Sequence, residues 1–406
     1  MWRTISVHEK KETEYLDRAI ERLELDPVLR ERAERKLKSI AQAEPLFNEA
    51  LRTPQDPRHH AEGPFLEDHL RLILIVLYGI IEEKFHFIDI EEFRRMKAYH
   101  GEFDELEEIL KENVALFEVF ALAHDVGKWP TLSLVAKAGS RGAKLGFPLK
   151  KDHAWDAFGI SERAKYRDRY LEMYQSFRAE HPHEPDQELQ AQFFLSFGIS
   201  AHYPGHNRVI HTPVYSQFLH RLAAAHRLPE KDSLILEDLI GRHLEPIHDF
   251  KNENSRAIGK YLKIAHSRGW DGDDFLDFLQ AAVFLDAISG SKQRGPHGFW
   301  REHPVLTNFF RSEHAFAPER RVEKSRQREE AKKHEQNQAF RTAGLDGVAL
   351  MDLLGMEPGP AFGRTLGRLQ SAVLGKGHMP AFSDKIDEEI SRRRTVFYEI
   401  WFEKDR

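Results

Sequence analysis

The chain contains no cysteine, and no apolar stretch of it approaches the length needed to span a membrane. Without cysteine there are no disulfides and no thiolate ligands, so any metal must be held by histidine and carboxylate side chains. The longest apolar run, Leu72 to Ile81, is about ten residues, the length of a buried helix rather than of a bilayer span. Met1 to Lys10 carry no apolar signal core, so no membrane partner and a cytoplasmic location are expected. An excess of positive charge is missing too: the net charge of −6 argues against an overall electrostatic grip on nucleic acid. What remains, 406 residues with 41% hydrophobic and 31% charged, is an ordinary globular composition with enough chain for two or three domains.

Against this background one octapeptide stands out, Ala121-Leu122-Ala123-His124-Asp125-Val126-Gly127-Lys128. An imidazole and a carboxylate on adjacent residues at a helix end can reach one divalent cation. Gly127 is expected to let the backbone turn, and Lys128 to reach back as a cation suited to phosphate chemistry. Upstream, His69 lies among Leu66, Leu70, Ile73 and Leu74 at core-facing helical spacing. Downstream, Asp286 is the one carboxylate of the apolar run Phe278 to Ser289, with no cation within a turn of it. A buried carboxylate of that kind is protonated, paired or metal-bound.

The series His69, His124-Asp125 and Asp286 resembles the HD superfamily of metal-dependent phosphohydrolases, in which these residue types from separate helices bind the ion. The resemblance implies an all-α helical bundle. It also implies further histidine ligands, for which His211 and His243 are the candidates, 32 residues apart, near the spacing of paired histidines in the HD domains of transfer-RNA nucleotidyltransferases. His202 and His206 compete with His211, and Gly205-His206 imitates the family's Gly-His. The segment Gly344 to Leu366, with Gly355, Pro358, Gly359 and Pro360, is similar to the region that follows the HD domain in the same bacterial enzymes. In it Gly355 is expected to end a helix in a left-handed cap, Gly359 to supply the φ freedom of a turn, and a helix to restart near Ala361. The nucleotidyltransferase head is missing: the chain has no Gly-Gly dipeptide, and only 68 residues precede His69.

Three divisions follow: an N-terminal helical segment 1–60, an HD domain 61–300 interrupted by an insertion 131–205, and a C-terminal helical domain 301–406. Residues 8 to 50 read as two solvated amphipathic helices around Asp26-Pro27, a covering layer or a surface for a homo-oligomer. The acidic stretch within 89–113 reads as an exposed helix face. Lys137, Arg141 and Lys144 lie in a glycine-rich basic segment able to close over the site, and with Arg242 they are the candidate phosphate-binding residues. The cluster Arg320 to His334 and the ending Ser391 to Phe402 combine basic and aromatic residues, a pattern that exposed or docked helices share with RNA-binding ones.

The expected activity is hydrolysis of a nucleotide or RNA 3′-end phosphoester, a 2′,3′-cyclic phosphate or phosphomonoester by the resemblance. One or two Mn, Fe, Ni, Co or Mg ions would be held by His69, His124, Asp125, His211, His243 and Asp286. They would lower the pKa of water, with Asp125 orienting it and Lys128 stabilising developing charge. A nucleoside triphosphate hydrolase using the same ligands, and a non-catalytic RNA-binding or scaffold protein, are the alternatives.

Overall fold

In the computed structural model the described residues are 19–149 apart from 59 and 61, 159–289, 299–316, 347–360, and positions 326, 330, 334, 362, 363 and 366. The fold is all-α, as the sequence predicts, and no described helix is long and apolar enough to cross a membrane. The chain forms two units, 1–316 and 317–406.

In the first unit, helical residues 19–24 lead into α1 (Pro27–Ala43) and α2 (Pro45–Leu51). Asp26 caps α1 by accepting from the Val28 and Leu29 amides, and Pro27 supplies the fixed φ of the first helical position. Leu29, Ala33 and Leu37, four residues apart, form the buried stripe that packs on α3 (Leu66–Ile81). Helix α3 is buried along nearly its whole length because it is surrounded: α1 on one side, then α4 (His100–Glu112), α5 (Val114–Ala123) and later α11 (Gly272–Ser289). The acidic face expected in α4 is only partly exposed. Glu102 and Glu107 are buried, and Glu107 accepts hydrogen bonds from the Phe87 amide (2.6 Å) and His86 Nδ1 (2.7 Å).

The insertion begins with β1 (Ser133–Ala136) and continues through α6 (Ile160–Glu180) and α7 (Asp186–Phe197) to β2 (Ile199–His202). The two strands pair antiparallel, with Ser133 opposite His202 and Ala136 opposite Ile199, and form the only sheet among the described residues. Gly198, at φ 64°, ends α7 in the left-handed conformation and turns the chain into β2. The bundle is completed by α8 (Pro213–Ala225), α9 (Glu230–Arg242), α10 (Ser255–Ser267), α11, and α12 (Phe299–Phe316). Although the sequence assigns α12 to the C-terminal domain, this helix packs on α10 and α11, with Phe309 stacked 4.1 Å from Phe250.

In the second unit α13 (Gly347–Leu354) ends as expected: Gly355 adopts φ 59° and the Met356 amide donates back to Met351 O (3.0 Å). Gly359, by contrast, is not among the glycines with positive φ, and helical backbone resumes at Pro360. Most of Arg320 to His334, and all of Ser391 to Phe402, lie outside the described residues.

Candidate metal centre

Helices α3, α5, α9 and α11 converge at one point, and each brings a histidine or a carboxylate there. On α11, Phe284 enters an aromatic cluster with Phe87, Phe93, Phe103 and Phe310. Asp286, two residues or about 200° further round the helix, therefore points the opposite way, toward His69 of α3. His124 and Asp125 follow the last turn of α5, and His243 follows the last turn of α9.

Four atoms crowd together on one side of the centre. His69 Nε2 lies 3.2 Å from His124 Nε2, 3.4 Å from Asp125 Oδ2 and 3.2 Å from Asp286 Oδ1. His124 Nε2 lies 3.4 Å from Asp125 Oδ2 and 3.6 Å from Asp286 Oδ1. Donor atoms about 2.0–2.2 Å from a first-row divalent ion stand about 3–3.5 Å apart, so this spacing fits such an ion. Two imidazole nitrogens at 3.2 Å cannot both carry a proton on the facing edge, whereas both can donate a lone pair to a cation.

Asp125 continues the arrangement on its other side. Its Oδ1 is 3.0 Å from His206 Nε2 and 3.8 Å from His243 Nε2. His206 Nε2 is buried and makes no hydrogen bond there despite the short separation, an orphan of the kind a ligand resolves. The outer nitrogen of every histidine is occupied. His69 Nδ1 donates to Glu62 Oε1 (2.7 Å), His206 Nδ1 to Tyr203 O (3.0 Å) and His243 Nδ1 to Ile240 O (2.7 Å). His124 Nδ1 lies 3.3 Å from both Phe120 O and Ala121 O. These bonds engage Nδ1 and leave Nε2 as the nitrogen of each ring that faces the centre. Buried histidine and carboxylate groups here can hold a metal ion: the sets His69, His124, Asp125 and Asp125, His206, His243 each bring their ligand atoms within 4.8 Å.

The charges reinforce one another. Burial pushes the Asp125 carboxyl up, but Lys128, His124 and His206 outweigh it and hold it well below the usual carboxylate range. Asp286 is likewise driven well down, since His124 and His69 overcome its burial. Burial depresses His69, yet the carboxylates of Asp125, Asp286 and Glu62 raise it well above an ordinary imidazole, and His124 is raised for the same reasons. His243 goes the other way, its burial outweighing Asp286 and Asp125 and lowering it to about 4, so it is a neutral donor at physiological pH.

The structure thus brings together His69, His124, Asp125, Lys128, His243 and Asp286 of the expected residues. His211 is not among them. It lies at the far end of the 3-10 turn His206–His211, 41% exposed, with Nδ1 3.1 Å from Glu237 Oε1 and its ring against Gly241. His206, at the start of that turn, occupies the place; Gly205, at φ 66°, bends the chain there, and residue spacing does not register such a bend. His202 is on β2 opposite Ser133. Gly127 is needed for a different reason from the one expected. Its φ of −64° suits any residue, but a Cβ would meet the His206 carbonyl oxygen at 2.1 Å, so the glycine lets the His206 backbone pass.

The basic segment does not close over the centre. Lys137 N bonds Gly198 O at the end of the ribbon away from Tyr203 and His206, about 13 Å along the strand. Arg141 stacks on Phe197 (4.6 Å), and Lys144 is an exposed residue of the same helical turn. Arg242 is paired with Asp238 and Glu245 (3.3 Å each). Sequence reasoning missed His60, Glu62 and Gln55, from the loop before α3. The only signal was their position just ahead of His69, because their contacts depend on the loop folding back.

The chain matches no protein-family model, no curated protein and no solved structure.

Proposed function

We propose that this chain is a metal-dependent phosphohydrolase of the HD type, acting on a nucleotide or RNA-end phosphoester. The observation that carries the reading is the position of Asp125, whose Oδ2 faces His69 and His124 while its Oδ1 faces His206 and His243. Placed this way, Asp125 would help hold metal together with His69, His124 and Asp286 on one side and with His206 and His243 on the other. Ions of the Mn, Fe, Ni, Co or Mg class would supply Lewis acidity, lowering the pKa of water and neutralising phosphoryl charge. The chain's own residues do the rest. The Nδ1 bonds orient the imidazoles, and Lys128 holds Asp125 Oδ2 at 2.6 Å.

Within this reading a diester or monoester is favoured over a nucleoside triphosphate. Three phosphates need a basic pocket, and Lys137, Arg141 and Lys144 stand at the far end of the ribbon. A non-catalytic scaffold would have little reason to keep two carboxylates and four histidines converging at one buried point.

The test is elemental analysis of the purified protein beside a His124→Ala, Asp125→Ala double variant, followed by a screen of 2′,3′-cyclic nucleotides, nucleoside monophosphates and triphosphates. Stoichiometric transition metal that disappears in the variant, with turnover of a cyclic nucleotide or monophosphate, is the expected result. No metal in either protein after incubation with Mn or Ni would overturn it.

A further inference from the structure

We infer that His60 and Glu62 belong to this centre as positioning residues, closing a ring of hydrogen bonds that fixes Lys128 against Asp125; the inference builds on the hydrolase reading above. The ring is traced atom by atom. Glu62 Oε1 accepts from His69 Nδ1 (2.7 Å) and from His60 Nδ1 (2.8 Å). With its Nδ1–H committed, His60 offers Nε2 as an acceptor, and Lys128 Nζ lies 3.1 Å from it. Lys128 Nζ also donates to Asp125 Oδ2 (2.6 Å) and to Gln55 Oε1 (3.3 Å). Asp125 Oδ2 lies 3.4 Å from His69 Nε2, so the ring closes there by proximity at the centre and not by a further hydrogen bond.

The donor count decides what Lys128 does. An ammonium has three N–H donors, and here all three have acceptors: Asp125, Gln55 and His60. The side chain is 4% exposed, and the Tyr203 ring stands 5.2 Å from Nζ. Lys128 therefore has no donor left for a phosphate oxygen, and its work is done on Asp125. Glu62 is compensated only through the ring, since its Oε2 is buried without a hydrogen-bond partner. The loop that carries His60 and Glu62 is pinned at its base: the Gln55 amide bonds Pro64 O (2.7 Å), the Leu66 amide bonds Thr53 O (2.9 Å) and Tyr203 Oη donates to Pro54 O. The loop thus acts on the Asp125 carboxylate through Lys128 and on the His69 ring through Glu62.

The test uses the full chain loaded with Mn and a chromogenic diester, bis(p-nitrophenyl) phosphate, beside His60→Ala, His60→Gln and Glu62→Gln. His60→Ala should lower kcat by roughly 10–100-fold, the range typical of groups that orient metal ligands, with KM little changed. His60→Gln, which keeps an acceptor for Lys128, should recover most of the loss. Glu62→Gln should weaken Mn binding by a similar factor, read by chelator competition independently of turnover. A folded His60→Ala with wild-type kcat, or a Gln variant no better than Ala, overturns the ring. If the wild type takes up no metal and hydrolyses nothing, the hydrolase reading fails separately. The ring is then judged by denaturant midpoints of His60→Ala, Lys128→Met and the double variant: non-additive shifts support it, and additive shifts overturn it.

Discussion

Helix α5 connects two buried clusters of histidine and carboxylate, and they are built on opposite principles. Glu118, midway along the helix, meets Lys36 Nζ at 2.8 Å and His226 Nε2 at 3.4 Å, while His226 Nδ1 donates to Leu222 O. One carboxylate there is answered by one ammonium and one imidazole, so its charge is met within the protein. Its evident role is to tie α1, which carries Lys36, to the bundle. Seven residues on, Asp125 and Asp286 face four imidazole nitrogens whose outer edges are already engaged, and these inner atoms converge at a spacing able to hold a metal ion. Burial of histidine with carboxylate is common to both. What separates the two is whether a carboxylate meets an ammonium or several ring nitrogens and carboxylate oxygens gather at one point with the spacing of a candidate metal site.

That distinction is broken most severely at Asp125. Asp125→Ala should remove metal from both sides of the centre and lower hydrolysis by a thousandfold or more, about 4 kcal/mol of transition-state stabilisation, while circular dichroism shows the helical fold kept. A variant with full activity would sink the site assignment. A narrower contrast sets His206 against His211, five residues apart on one turn. His206→Ala should weaken binding of one ion by about 10–100-fold in a chelator titration, whereas His211→Ala, on the surface with Glu237, should leave metal content and activity unchanged. Equal losses in the two variants would mean that the turn is placed differently from what Asp125 Oδ1 and His206 indicate.

How far the sequence could be read follows the same divide. The four residues that sit on or just past long apolar helices, His69, His124, Asp125 and Asp286, were recognisable because a polar residue beside an apolar helical run is conspicuous and the resemblance to the HD superfamily groups them as candidates. The choice between His206 and His211 was not, since Gly205 and a 3-10 turn break any fixed spacing. The basic segment 137–144 suggested a lid because its composition is flexible and cationic. Yet Leu134 and Ala136 face a strand that only appears some sixty residues later, and that pairing turns the segment away from the centre. His60 and Glu62 act through a loop closure that leaves no periodic trace.

Gly127 sharpens the comparison at the next level down. Because a Cβ at this position would stand 2.1 Å from the His206 carbonyl, Gly127→Ala should push the 3-10 turn outward. We expect a loss of about 1–3 kcal/mol in urea unfolding, as for other overpacked sites, together with weakened binding on the His206 side and little change on the His69 side. An Ala variant as stable as the wild type, binding both ions alike, would show that the turn can relax at no cost.

The mildest effect belongs to the ion-pair lock, and it is visible through pH. Burial pushes the Glu118 carboxyl up, but His226, Lys36 and Tyr78 outweigh it and hold it at about 2, against an ordinary 4.5. A carboxyl depressed on folding stabilises the native state fully above its unfolded value, and that contribution is lost as pH falls through the folded one. Between about pH 4.5 and 2 the wild type should therefore lose stability more steeply than Glu118→Gln, in which the titration is gone. At neutral pH the variant should be less stable by about 1 kcal/mol, because the half-buried Lys36 ammonium keeps only a weaker partner, while metal content stays at the wild-type level. A Glu118→Gln protein that lost metal would join the two clusters into one system. One that kept metal and lost only its acid dependence would establish that α5 carries a lock and a ligand site as separate devices, coupled by nothing more than the helix between them.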